Sequence, residues 1–212
     1  MKLIKFPRTR HTPWSRSVGE DDKVHSTMDQ FHGLEVVVTE KMDGENTTMY
    51  PTHYHARSVD SRHHPSRDAV KGVWGSIRHL IPEGWRVCGE NVYAEHSIFY
   101  DDLESYFYGF SVWDEENIAL DWDTTLDFFK EIGVTPVRQL YRGEYDEKLI
   151  KTLWDESKRS KMEGYVIRSV GEVTYNQYAN LVAKFVRKGH VQTDEHWMSK
   201  PIVPNKLINN NQ

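Results

Sequence analysis

A chain of 212 residues with 38 % apolar and 28 % charged residues fits one sizeable globular domain, polar but not disordered. No apolar run approaches the roughly 18 residues of a membrane span, and the opening "MKLIKFPRTRHTPW" lacks the apolar region of a signal peptide, so a cytoplasmic protein without a membrane partner is expected. The net charge of −5 disfavours indiscriminate nucleic-acid binding over the whole surface, and the single cysteine, Cys88, excludes an internal disulfide and a cysteine-based zinc site.

In chain order, basic residues come first: Lys2, Lys5, Arg8, Arg10 and Arg16 precede any regular element. "LEVVVT" is a β-branched run that predicts a buried strand. Straight after it, "TEKMDGEN" crowds a lysine, three carboxylates, a glycine and an asparagine together. Asp43-Gly44 alone would suit a hairpin turn, which leaves Glu40, Lys41 and Asn46 unexplained. "TTMY" and "HYHARSV" continue as strands, and a second basic cluster holds Arg57, Arg62 and Arg67.

"DAVKGVWGSIRHL" predicts a helix, with Asp68 as cap and Val70, Val73, Trp74 and Ile77 at helical spacing. "WRVCGENVY" and "YFYGFSVWD" predict strands. A helix is expected over "DTTLDFFKEIG", capped by Asp123, stopped by Gly133, with Leu126, Phe129 and Ile132 on one face. "DEKLIKTLWDESKR" begins with acids and ends with bases, as a helix dipole prefers. "EGYVIRSV" and "NLVAKFV" close the strand series, and a third basic cluster gathers Lys184, Arg187 and Lys188. Strands of mixed polarity with inserted helices indicate an α+β fold built on antiparallel sheets. Residues 1–190 form the expected domain, and 191–212, rich in proline and asparagine, a docked or frayed tail too short for a second domain.

KxDG at Lys41 is a weak pattern by itself, and its ordered company strengthens it. Glu90 ends a strand in "GEN", Phe110 lies in an aromatic strand, Glu163 and Gly164 open another, and Lys184 lies in "AKFVRK". In this order the elements resemble the collinear motifs of the covalent nucleotidyltransferase superfamily, which contains ATP-dependent DNA ligases, RNA ligases and mRNA-capping guanylyltransferases. KxDGxN, with Asn46 last, is most similar to the RNA ligase 2 type, and the resemblance covers residues 34–190.

That resemblance implies an ATP-grasp-like nucleotidyltransferase fold, two antiparallel sheets with flanking helices enclosing a nucleotide groove. It implies an RNA ligase that joins 3′-OH and 5′-phosphate ends through a lysyl–AMP enzyme and an adenylylated 5′ end. A DNA ligase, a GTP-using capping guanylyltransferase and a non-catalytic nucleotide- or RNA-binding relative stay open beside it. Lys41 is the implied nucleophile, which needs a neutral amine and so a pocket that lowers its pKa through desolvation or nearby positive charge. Asp43, Glu90 and Glu163 are the implied holders of a hydrated Mg²⁺ or Mn²⁺, with Lys184 on the phosphates. Phe110 would stack on the base, Glu40 would accept from the adenine amino group, and Gly44 would let the backbone turn beside the nucleotide. Arg57 or Arg62 would hold a phosphate or the ribose, with Asn46 in the same site.

The family usually ends its last motif as KxK, whereas Lys184 is followed by Phe185 and Val186, which leaves Arg187 or Lys188 as substitutes. RNA binding would fall to the basic N-terminus, the "SRHHPSR" loop, "VRKGH" or an accessory protein. His53, His55, His63 and His64 read as solvated loop residues rather than zinc ligands, and Cys88 as a small buried residue.

Overall fold

The run "EVVVTEK" has no polar face to turn to water, and Val36, Val37 and Val38 are fully buried in the middle of a sheet covered on both sides. The structure is a computed structural model that describes residues 2–189 and 201–208. In chain order its strands are β1 (Arg10–His11), β2 (Glu35–Lys41), β3 (Glu45–Met49), β4 (Tyr54–Ala56), β5 (Arg86–Asn91) and β6 (Phe107–Trp113). These are followed by β7 (Ile118–Ala119), β8 (Thr135–Pro136), β9 (Gln139–Glu144), β10 (Gly164–Ser169), β11 (Val173–Thr174) and β12 (Val182–Val186). The helices are α1 (Asp68–Ile77), α2 (Trp122–Ile132), α3 (Glu147–Thr152) and the single turn α4 (Tyr178–Leu181).

One sheet runs β1-β12-β10-β2-β9, and the other β11-β7-β6-β5-β3-β4 with β8 beside β6. The expected α+β fold with two sheets is present, and all pairings are antiparallel except β1 with β12 and β6 with β8. Val36 and Val38 pack outward with Phe31, Ile150, Trp154, Tyr165 and Phe185, while Val37 packs between the sheets with Val92, Ile98, Tyr100 and Trp122. On the far side of the second sheet, α1 and α2 press Val70, Ile77, Phe129 and Ile132 onto Met49, Val87 and Val112. Each such side chain contributes roughly 1.5–3 kcal/mol when fully buried.

Asp43-Gly44 is not a hairpin. β2 and β3 do not pair with each other and belong to different sheets, so "MDG" is the bend by which the chain crosses from one sheet to the other. The helix caps also differ from expectation by a few residues. Asp121, not Asp123, accepts from Thr124 N–H at α2, which leaves Asp123 to pair with Arg142. Asp68 is the first residue of α1 and pairs with His63 rather than capping. Gly133, at φ 73°, stops α2 as expected. α3 covers only the first part of "DEKLIKTLWDESKR", and a separate 3₁₀ turn follows at Glu156–Lys158 with its own cap at Asp155. β9 and β1 carry no strand-like apolar pattern, and their partners β2 and β12 recruit them. Of the tail, the described part is docked: Asn205 is buried, accepting from Tyr100 N–H and donating to Val92 C=O.

At Gly164 a Cβ would fall on the backbone carbonyl of Phe185 in β12, whereas at Gly171 only Ser169 Oγ lies within reach, at 3.9 Å. Gly164→Ala should therefore lower stability by about 3 kcal/mol and Gly171→Ala by less than about 0.5 kcal/mol, read as urea midpoints.

Candidate active site

The ladder between β2 and β10 sets Lys41 opposite Gly164, next in sequence to Glu163. Lys41 Nζ donates to Glu163 Oε2 at 2.6 Å, and Glu163 is fully buried. Two residues on, the crossing bend delivers Asp43, whose carboxylate accepts from Ser97 N–H at 2.7 Å and Ser97 hydroxyl at 2.8 Å. Asp43 N–H donates to Tyr100 hydroxyl at 3.0 Å. From the second sheet, β5 places Glu90 opposite Asn46 of β3. The nucleophile candidate and the carboxylates thus meet where the two sheets diverge.

Charge at this meeting point is unbalanced. Burial alone would lower the Lys41 pKa, but Glu163, Glu90 and Asp43 outweigh it and hold the ammonium above its ordinary value. The expected lowering is therefore reversed, because carboxylates rather than cations surround Nζ. Burial pushes Glu90 up to about 8, with Glu163, Asp43 and Glu45 adding to it and Lys41 opposing. Lys184 lies in β12 opposite Val166 of β10, and burial, Lys41 and Arg57 hold it below the usual lysine range against Asp22 and Glu163.

These residues line one groove of about 1940 Å³ between the sheets, walled by Lys41, Asp43, Glu90, Phe110, Glu163 and Lys184. The RNA ligase family matches residues 34–186 of the sequence. The chain belongs to the RNA ligase family. Among solved structures it is similar to an archaeal ATP-dependent RNA ligase, with TM-score 0.60 and 15 % identity over 87 % of this chain and 48 % of that one. It is also similar to a Naegleria gruberi RNA ligase mutant with AMP and Mn, with TM-score 0.58 and 16 % identity over 87 % of this chain and 56 % of that one. A second mutant of that ligase, with ATP and Mn, has TM-score 0.54 and 18 % identity over 76 % of this chain and 52 % of that one. At such identities the likeness shows the fold, and the chain spans about half the length of these chains. No curated protein matches.

Within this RNA ligase fold, most residues singled out from sequence reach the groove. Glu40 lines it and is held by exposed Arg138 at 2.9 Å, while burial raises its pKa against that cation. Phe110 presents a half-buried ring edge-on to Phe6, centroids 5.3 Å apart. Arg57 and Arg62 are exposed at the rim, and Arg57 is near enough to act on Lys184. Asn46 Oδ1 is buried with no hydrogen-bond partner, an acceptor that a ribose hydroxyl or a metal-bound water would satisfy. Arg187 and Lys188 are not groove residues. Arg187 is buried, its guanidinium 3.4 Å from Oγ of the groove residue Ser97, and Lys188 is exposed next to Gly189, which lines the groove. Gly44 meets a different demand from the one expected, because a Cβ there would strike the Asn91 carbonyl of β5.

Among the described residues, no group of three or more His, Cys, Asp or Glu side chains has the spacing to hold a metal ion directly. The excess of carboxylates over ammonium at Asp43, Glu90, Glu163 and Lys41 fits a cation that keeps its waters, as magnesium does. His53 and His63 are exposed as expected, whereas His55 is buried, bonded through Nδ1 to the Ala56 carbonyl at 2.6 Å. Cys88 is buried and its thiol pushed up to about 11, an inert core residue.

Sequence patterns gave no sign of Ser97, Tyr100, the Glu45–Arg67 pair, or the N-terminal residues His11 and Asp22 that abut Lys184. His11 is fully buried, and burial first, then Lys184, lowers its pKa to about 4. Unfolded, the same imidazole titrates near its ordinary 6.5, so its contribution to stability is complete above that value and is lost as pH falls toward 4. Between pH 7.5 and 5 the wild type should lose about 1–2 kcal/mol more stability than His11→Gln, measured by urea unfolding at each pH.

Proposed function

We propose that this protein is an ATP-dependent RNA ligase in which Lys41 accepts AMP, transfers it to a 5′-phosphate RNA end, and a 3′-OH then displaces AMP to seal the strand. The carrying observation is the convergence of Lys41 with Glu163, Glu90 and Asp43 inside a groove that also holds Lys184. ATP use and an RNA substrate are also in keeping with the similar structures, an archaeal ATP-dependent RNA ligase and a Naegleria gruberi RNA ligase with ATP and Mn.

In the first step a bond forms between Lys41 Nζ and the α-phosphorus, and the bond from that phosphorus to the β-phosphate oxygen breaks. Pyrophosphate leaves with the electron pair. The ammonium gives up one proton before attack and a second as the nitrogen–phosphorus bond forms; Glu163, at 2.6 Å, is the base in reach. A carboxylate that raises the lysine pKa also receives its proton without diffusion through water. Asp43, Glu90 and Glu163 would hold a hydrated Mg²⁺ or Mn²⁺, which supplies charge neutralisation at the phosphates and lowers the negative field around Lys41.

Lys184 and Arg57 line the groove and would hold the phosphates, and Phe110 would offer a flat apolar surface for a base. Reprotonation of the phosphoramidate nitrogen turns Lys41 into a leaving group when the RNA 5′-phosphate attacks. Arginine could not replace it, since guanidinium does not deprotonate. Exposed Arg62 and His63 at the rim, or an accessory protein, would steady the RNA.

Incubation with α-labelled ATP and Mg²⁺ or Mn²⁺ should give a protein-bound label that is stable to base and labile to acid. Lys41→Ala should abolish it, and Glu163→Gln should slow it about 10²-fold. Equal labelling of wild type and Lys41→Ala, or labelling of neither, would overturn the assignment. Nicked duplexes with RNA or DNA on each side of the break then identify the strand it seals.

A further inference from the structure

The N-terminal segment is built onto the strand that carries Lys184. β1 pairs in parallel with β12, setting His11 opposite Lys184, and Thr12 N–H donates to the Lys184 carbonyl at 2.8 Å. The chain then folds back along β1: His11 N–H donates to the Lys23 carbonyl at 2.7 Å, and His25 N–H to the His11 carbonyl at 2.8 Å. This return places a tight turn, Gly19 to Asp22, at the groove, closed by Asp22 N–H to the Gly19 carbonyl and Gly19 N–H to Asp22 Oδ2, both at 3.1 Å.

Asp22 packs against His11. Val186 N–H donates to Ser15 Oγ at 3.0 Å, and Ser15 Oγ lies 2.7 Å from His11 Nδ1. The Ser15 hydroxyl thus ties the His11 ring to the backbone of β12. His11 Nε2, which completes no hydrogen bond, lies 3.2 Å from Asp22 Oδ2, and Asp22 Oδ1 is 3.5 Å from Lys184 Nζ. A carboxylate fixed by its own turn through Gly19 N–H and packed against a buried histidine therefore stands beside the cation assigned above to the phosphates. Glu20 and Asp21 of the turn also line the groove, together with Arg8, Arg10 and Lys23.

We infer that Asp22, held by the Gly19–Asp22 turn, is an internal competitor of phosphate for Lys184 and promotes release of pyrophosphate once the Lys41–phosphorus bond has formed. Asp22 acts through Lys184 and touches no reacting atom; it is a positioning residue. The inference rests on the ligase assignment in naming pyrophosphate as the anion expelled. The competition itself requires only that Lys184 binds phosphate oxygens. A carboxylate at this place costs affinity for ATP and gains turnover, because leaving pyrophosphate meets an anion ready to take back its ammonium.

Inorganic pyrophosphate binding to the full-length chain, by calorimetry, tests this without turnover. Asp22→Asn keeps the shape and an acceptor for Gly19 N–H but removes the charge, and should bind pyrophosphate at least fivefold more tightly. Asp22→Glu, which keeps the charge, should bind like wild type. The gain should vanish in Asp22→Asn/Lys184→Ala. In the labelling assay, Asp22→Asn should show a lower KM for ATP and inhibition at about a fifth of the pyrophosphate concentration.

Unchanged or weaker pyrophosphate binding in Asp22→Asn, or a gain that survives loss of Lys184, overturns the proposal; urea midpoints verify that each variant is folded. A wild type that takes no label from ATP, with the affinity gain intact, overturns the ligase assignment and leaves the competition for Lys184 standing. Labelling without the gain does the reverse.

Discussion

The pair between Lys41 and Glu163 is the interaction on which the rest of the site depends. Glu163 is fully buried, and a buried carboxylate is tolerable only when paired and hydrogen-bonded. Its partner must therefore arrive at one place, and the β2–β10 ladder provides it by setting Lys41 against Gly164. Gly164 in turn has no room for a side chain because the Phe185 carbonyl of β12 occupies the Cβ position. Three strands are thereby locked in register around one ion pair, and Lys184 is carried on the third. Losing either partner would leave an uncompensated buried charge, an expense of about 3–5 kcal/mol.

Carboxylates outnumber the Lys41 ammonium at this point, and the fold holds them there with bonds from distant parts of the chain. Asp43 is fixed by Ser97 and Tyr100, which belong to the loop after β5. That loop is braced from the tail, where Asn205 takes the Tyr100 N–H and gives a proton to the Val92 carbonyl. The Asn205 side chain thus supports a carboxylate in the groove although segment 201–208 supplies none itself. Negative charge assembled at such cost is a standing demand for a cation, which ties the electrostatics of Lys41 to metal binding.

How much of this was legible in the sequence depended on the range of the interactions involved. β2, β5, β6, β10 and β12 each carry enough local apolar or aromatic character to be read directly, and the motif residues ride on them. Their convergence was expected from motif order, and Lys41, Glu90, Phe110, Glu163 and Lys184 line one groove. What failed was long-range. β1 and β9 exist because a neighbouring edge recruits them, and nothing in "RH" or "QLYRGE" encodes that. The Asp43-Gly44 bend mimics a hairpin locally, yet β3 pairs with β5 instead of β2, across the 36 intervening residues 50–85. The sign of the Lys41 shift was missed for the same reason, since it is set by three carboxylates brought from three segments.

Lys184 shows why an enzyme of this architecture would recruit its N-terminus. β12 lies between β10 and β1, so its lysine has a strand on either side able to supply a counter-charge. From β10 comes the field of Glu163, already committed to Lys41. From the β1 side comes Asp22, at 3.5 Å and not committed to the chemistry. Burial, Lys41 and Arg57 lower the pKa of Lys184, and the carboxylate beside it opposes that lowering. A permanent close pair would instead sequester the ammonium from phosphate. A partly exposed aspartate on a surface turn at 3.5 Å lies between these extremes, near enough to bias Lys184 and loose enough to surrender it. The weakness of that ion pair is what makes it useful.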